Sequence, residues 1–329
     1  MAHQLDIVNG KATMAYVGAT PWHGLGQRLE PGTGIETWRR ESGLDYSVLE
    51  GESMYRLVDD EGTATYHEFP GRKTLYRSDS KAPLSVVSKD YKVVQPGEVL
   101  EFFKDLSDIG GFHLETVGAL KGGLKIWGLA KIDDGAPIIA NDIVRPYVLL
   151  ATSYDGSLAT TARLTSVRVV CNNTLSRAYS SDSKSVVKVR HDTTFRPSDV
   201  RRQLGIFSDQ WEKFQIEMRQ LAEAQINDDF ADAFLVTLFS KKLGKRADGS
   251  LPDVRKSRGY RDVMALFQGG GRGHEMVKGT AWGLVNAVTE WVDHSRGRSP
   301  ETRLDAAWFG AGNDLKTTAF TEMLDLVSS

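Results

Sequence analysis

Residues 112–132 read FHLETVGALKGGLKIWGLAKI, and the fold turns on this stretch. The runs at 112–120 and 124–132 are apolar and strand-like. Lys121, Gly122 and Gly123 between them form a tight hairpin signal, because glycine reaches the left-handed φ of a short turn without a Cβ penalty. A third run, 144–153 (VRPYVLLATS), follows a looser connection that holds Gly135 and Pro137. Short links predict an antiparallel meander, since parallel neighbours need a crossover of about a dozen residues or more.

The flanks extend this pattern. Upstream, 84–94 (LSVVSKDYKVV) is β-branched and reads as strand or hairpin. Pro96 suits the first turn of a helix. Over 97–109, Val99, Leu100, Phe102, Phe103, Leu106 and Ile109 recur at helical spacing, and Gly110 with Gly111 supplies a stop. Downstream, Asp155–Gly156 marks a turn, 158–170 predicts a further strand, and 171–180 predicts the start of a helix capped by Asn172 or Asn173. The expected fold class is α+β: an antiparallel β-meander covered by helices, in an α-β-β-β-α core.

The C-terminal region predicts helices. Phe207, Trp211, Phe214, Met218 and Leu221 form one apolar stripe. Segment 276–292 is another helix, with Val285, Val288 and Val292 inward and Trp282 and Trp291 nearby. The expected organisation is a loop-rich N-terminal arm (1–70), an α+β core domain (71–203) and a helical C-terminal region (204–329). The arm includes PWHGLGQRL at 21–29, where Trp22 and His23 sit among turn-forming residues.

Composition narrows the function. The 329 residues carry 41 Lys+Arg against 43 Asp+Glu, a formal net charge of −2. This excludes a uniformly basic nucleic-acid coat and leaves room for one basic groove. The single cysteine, Cys171, excludes an intrachain disulfide and any cysteine-based zinc or iron–sulfur site, and fits a reducing compartment. The N-terminus lacks a signal-peptide pattern, and no apolar run approaches the roughly 20 residues of a membrane span. A soluble protein, cytoplasmic in a bacterial host cell and without a membrane partner, is expected.

Catalytic signatures are sparse. The run GGGRG at 269–273 is followed by His274 and Glu275 rather than by the Lys-Ser/Thr of a phosphate loop, so it reads as a flexible linker with Arg272 as a phosphate contact. A magnesium-dependent nuclease would gather carboxylates near a lysine; Asp79 with Lys81, Asp182 with Lys184, and Asp90 with Lys92 are partial matches, the last taken with carboxylates such as Glu115. No G-x-S-x-G elbow occurs, and no two histidines share a helix face. No catalytic residue, metal ligand or cofactor is therefore assigned.

The basic stretches 184–202 and 241–261 are more suggestive. Arg163 and Arg168 alternate with Leu164, Val167, Val169 and Val170, as on a strand that presents guanidiniums along one face. With Arg177, Lys184, Lys188 and Arg190 they would line a groove tracking a phosphate backbone, and Tyr147, Tyr154 and Tyr179 lie close in sequence to stack on bases. Solvated rim charges beside core tyrosines are the competing reading of the same residues.

The strings PWHGLGQRL (21–29), LSVVSKDYKVVQ (84–95), the opening 112–132 segment, TSYDGS (152–157), TSVRVVCNNTLSRA (165–178) and GTAWGLVNAVTEWVDH (279–294) resemble the phage/plasmid-like family built on domain of unknown function 932 (DUF932). That resemblance runs from Trp22 to Trp308 and implies a mobile-element setting with no established activity. The α-β-β-β-α order over 97–180 is also similar to single-strand annealing proteins of the Rad fifty-two, RecT and Redβ type. These form rings or filaments of subunits and hold single-stranded DNA in a basic groove. The expected function is non-catalytic, oligomeric single-stranded-DNA binding and annealing. The rivals are the magnesium-dependent nuclease and a host-interaction or structural protein.

Overall fold

The computed structural model describes residues 7–8, 11–18, 25–109, 111–168, 173–175, 186–196, 207–241, 253–297 and 300–329. Trp22, His23, Gly110, Cys171, Arg201, Arg202 and residues 242–252 lie outside the described residues.

The strands are β1 (Ile7–Val8), β2 (Lys11–Ala12), β3 (Met14–Val17), β4 (Gln27–Leu29), β5 (Val48–Val58), β6 (Ala64–Arg77), β7 (Pro83–Ser88), β8 (His113–Leu120), β9 (Lys125–Lys131), β10 (Ala136–Ile139), β11 (Asp142–Ser153), β12 (Thr160–Arg168), β13 (Asn173–Leu175) and β14 (Val186–Val189). Helices α1 (Ile35–Glu41) and α2 (Pro96–Ile109) lie among them. After β14 come α3 (Phe207–Glu223), α4 (Asp228–Ser240), α5 (Arg258–Ala265), α6 (Ala281–Glu290), α7 (Pro300–Phe309) and α8 (Ala311–Ser328). The class is α+β with a helical C-terminal region. The main sheet runs β13-β12-β11-β9-β8-β3-β4, with β10 on β11 and β14 on β12. From β8 to β12 it is the expected meander, β10 adding a short ribbon on β11. The chain divides into two compact units, each assembled from separated stretches.

The first unit comprises Met1–Lys131, Val148–Arg163 and Val186–Leu204. Its hairpin β8–β9 turns through Lys121, Gly122 and Gly123, all at positive φ, in the register Leu120↔Lys125. Helix α2 starts where Pro96 predicts, and Glu98 reaches back to accept the Gln95 N–H at 2.7 Å, half of a capping box. Its apolar face packs on β8 and β9, with Val99, Leu100, Phe102, Phe103 and Leu106 all buried. Each such side chain contributes about 1.5–3 kcal/mol of transfer free energy.

Gly128 on β9 makes this packing possible. A Cβ there would lie 2.4 Å from Phe103 Cε2. Gly128→Ala is expected to cost about 1–3 kcal/mol by overpacking, read from urea unfolding. Adding Phe103→Leu should recover part of that loss. Equal stability of Gly128→Ala and the parent contradicts this packing.

Two local expectations are corrected here. The segment before residue 70 is not mainly loop: β5 and β6 form a long hairpin over Val48–Arg77. Most side chains on both faces of β5 beyond Ser53 are exposed, so no apolar alternation announces the strand. Asn173–Leu175 forms strand β13 rather than a helix start. It pairs with Ser166–Arg168, and the hydroxyls of Thr165 and Ser166 donate to the Leu175 carbonyl at 3.2 Å.

The second unit comprises Ile132–Tyr147, Leu164–Ser185 and Gly205–Ser329. Trp211, Phe214, Met218 and Leu221 of α3 are buried as the stripe predicts, and Phe214 meets Phe320 of α8 edge-on at 5.2 Å. Every residue of α6 is buried, including Asn286, Thr289 and Glu290. A helix enclosed on all sides lies within a core rather than on its surface. Among the described residues no helix is long and apolar enough to cross a membrane.

Candidate nucleic-acid interface

In the first unit, β12 and β14 pair in the register Thr161↔Lys188 and Arg163↔Val186. Directly opposed residues share a face, so Arg163 and Lys188 lie on one side of this ribbon. Thr160, Ala162 and Val187 point the other way and are buried, whereas Lys188 is exposed and Arg163 half-buried. Arg190 follows β14 with its side chain 81% exposed, and pairs with Asp192 at 2.8 Å.

The segment after β14 is pinned by backbone and ring contacts. His191 bonds the Leu158 carbonyl at 2.9 Å and stacks on Tyr91 with ring centroids 4.3 Å apart. The Lys92 N–H donates to the His191 carbonyl, bringing exposed Lys92 beside Arg190 in the backbone path. The Tyr91 hydroxyl donates to the Ser153 carbonyl at 2.5 Å. Burial, then the nearby Asp155 charge, pushes its phenol above the ordinary tyrosine range, so it stays a neutral donor. This unit therefore holds Arg163, Lys188, Arg190 and Lys92 around one ordered edge.

Other expected contacts have different surroundings. Arg168 does not face a groove: its side chain is 3% exposed and forms an ion pair with fully buried Asp142 at 2.7 Å. Its remaining nitrogens donate to the carbonyls of Arg272 and Gly273, each at 3.1 Å. Trp282 Nε1 donates to the second Asp142 oxygen at 2.9 Å. A guanidinium committed to these partners is a structural clamp, which corrects its assignment as a phosphate contact.

Tyr154 is corrected in the same way. It is fully buried, and its hydroxyl donates to the Val94 carbonyl at 2.9 Å. Burial pushes this phenol well above its ordinary range. Tyr147 is buried as well. Neither ring has a free face on which a base can stack. Arg177, Tyr179 and Lys184 lie outside the described residues.

The glycine run is an anchored loop, not a linker. Arg168 holds its carbonyls, and the Arg272 N–H donates to the Glu290 carboxylate at 3.0 Å. Burial raises the Glu290 carboxyl above its ordinary range, against the lowering effect of that bond and of the Arg272 charge. A second buried network joins Thr174, Asp293 and Lys316. Asp293 accepts the Thr174 N–H at 2.7 Å, and the Lys316 ammonium donates to Asp293 at 2.6 Å and to the Thr174 hydroxyl at 2.7 Å.

For the nuclease alternative, Asp90 is exposed in a turn, Lys92 is exposed, and Glu115 is half-buried on β8. Among the described residues no three His, Cys, Asp or Glu side chains gather into a set able to hold a metal ion.

A domain-of-unknown-function model, DUF932, matches residues 83–308, more than half of the chain. The protein belongs to that family. No curated protein and no solved structure matches it.

Proposed function

We propose that this protein binds single-stranded DNA and promotes its annealing, as a non-catalytic recombination protein of a phage- or plasmid-like element. The observation that carries the reading is the edge formed by β12, β14 and the Lys92 segment. Arg163 of β12 and Lys188 of β14 share one face of the paired ribbon, Arg190 follows β14, and the Lys92 backbone bonds the next residue, His191. Cations gathered at an ordered sheet edge neutralise phosphates without reading sequence, as annealing of arbitrary complements requires. Arg177 and Lys184 are further phosphate contacts in this proposal, and Tyr179 takes the base-stacking role that buried Tyr154 cannot. The proposed setting is the cytoplasm of a bacterial host, with the protein assembled as a homo-oligomer.

The test mixes purified protein with a dye-labelled single-stranded oligonucleotide, then with its complement, in the presence and absence of magnesium. Salt-sensitive binding, faster annealing than without protein and uncut strands are expected. No binding, or no acceleration, overturns the proposal; magnesium-dependent cleavage lost on Asp90→Ala favours the nuclease.

A further inference from the structure

We infer that a second copy of this chain docks on the open edge of β5, strand against strand and antiparallel. Strand β5 ends the three-stranded sheet β5-β6-β7 and is hydrogen-bonded only to β6 among the described strands. At its base the edge is closed: the Gln95 side chain accepts the Val48 N–H at 2.8 Å and donates to the Val48 carbonyl at 3.0 Å. From Leu49 to Val58 no described strand covers it, and those residues include neither proline nor lysine. Exposed strand edges without proline or lysine pair with other chains. The charges on this one, Glu50, Glu52 and Arg56, are mixed in sign, and the register irregularity between Glu52 and Met54 places its extra residues on β6. Among the described strands the outer part of β6 is also uncovered, since β7 pairs only with Arg72–Tyr76. Pro70, which lacks an N–H, and Gly71 at φ +73° interrupt that edge.

The side chains say what kind of occupant fits. Met54, Leu57 and Tyr66 are exposed by 55%, 50% and 65%. Tyr55 is also exposed and carries His67 stacked on its ring, with centroids 5.5 Å apart. Between residues 48 and 69, Glu50, Glu52, Asp59, Asp60, Glu61 and Glu68 face a single Arg56, an acidic excess that repels nucleic acid. The edge is self-complementary instead. In an antiparallel pairing centred on Met54, Arg56 of each copy lies opposite Glu52 of the other. Tyr55 then meets Ser53, and Leu57 meets Gly51, so large side chains face small ones. Neither Glu52 nor Arg56 has an ion-pair partner among the described residues. The pairing is two-fold and closes on itself.

Sedimentation equilibrium tests it. The full chain is expected to give a two-copy mass, and Arg56→Glu should weaken dimerisation by roughly tenfold or more by setting like charges opposite each other. The charge-swapped double variant, Glu52→Arg with Arg56→Glu, should restore it. If Arg56→Glu does not fold, Glu52→Arg alone creates the same repulsion and is read the same way. A monomeric parent, a mass indifferent to these changes, or no restoration by the swap overturns the inference. So does a loss of oligonucleotide affinity in Arg56→Glu without a change of mass, which assigns the arm to DNA. Lys188 and Arg190 are untouched by these variants, so dimerisation can fail while DNA binding persists.

Discussion

Replacing Arg168 with leucine is expected to destabilise the protein by about 3–5 kcal/mol, because it leaves Asp142 charged and enclosed without its counter-ion. The loss extends beyond the pair. Two carbonyls of the glycine run, at Arg272 and Gly273, lose their donors, and the loop they shape is released. Urea unfolding of Arg168→Leu beside Arg190→Leu separates a clamp from a surface charge. Arg190, 81% exposed, should change stability by no more than about 0.5 kcal/mol. Equal, small effects of the two substitutions would contradict the structural role given to Arg168.

The second large effect is expected at Lys316. Its ammonium, 1% exposed, compensates Asp293 and bonds the Thr174 hydroxyl, so Lys316→Met should also cost about 3–5 kcal/mol. The unpaired carboxylate accounts for most of that cost, which makes the effect non-additive. Asp293→Asn keeps an acceptor for the Thr174 N–H while removing the charge. The double variant should therefore be less destabilised than the sum of the single ones. Strict additivity in denaturant unfolding would contradict a coupled network.

These networks mark where the sequence stops being readable. The meander is legible because Lys121-Gly122-Gly123 is punctuation that chemistry enforces, and α2 is legible because its apolar positions follow one helical face. Arg168 misleads for a physical reason. Strand β12 is enclosed on both faces over much of its length, so alternation there does not separate inside from outside. What decides Arg168 is Asp142, which is distant in sequence and unremarkable by itself. Asn173 reads as a cap because asparagine favours caps; β13 is instead fixed by Asp293, 119 residues from Thr174. The β5–β6 arm hides for the opposite reason, having two exposed faces and hence no apolar period. Of the expected interface, Lys188 and Arg190 are on the surface as their polarity suggests, whereas Tyr154 shows that an aromatic near basic residues is as readily core.

The salt dependence of single-stranded-DNA binding tests the central claim most directly, compared between the parent and the triple variant Lys92→Ala, Lys188→Ala, Arg190→Ala. A phosphate-tracking edge predicts that the logarithm of the binding constant falls linearly with the logarithm of salt concentration, and that the slope becomes shallower by about 0.7 for each phosphate contact removed. The same slope in both proteins, or no salt-sensitive binding in the parent, would contradict a DNA-binding role for this edge.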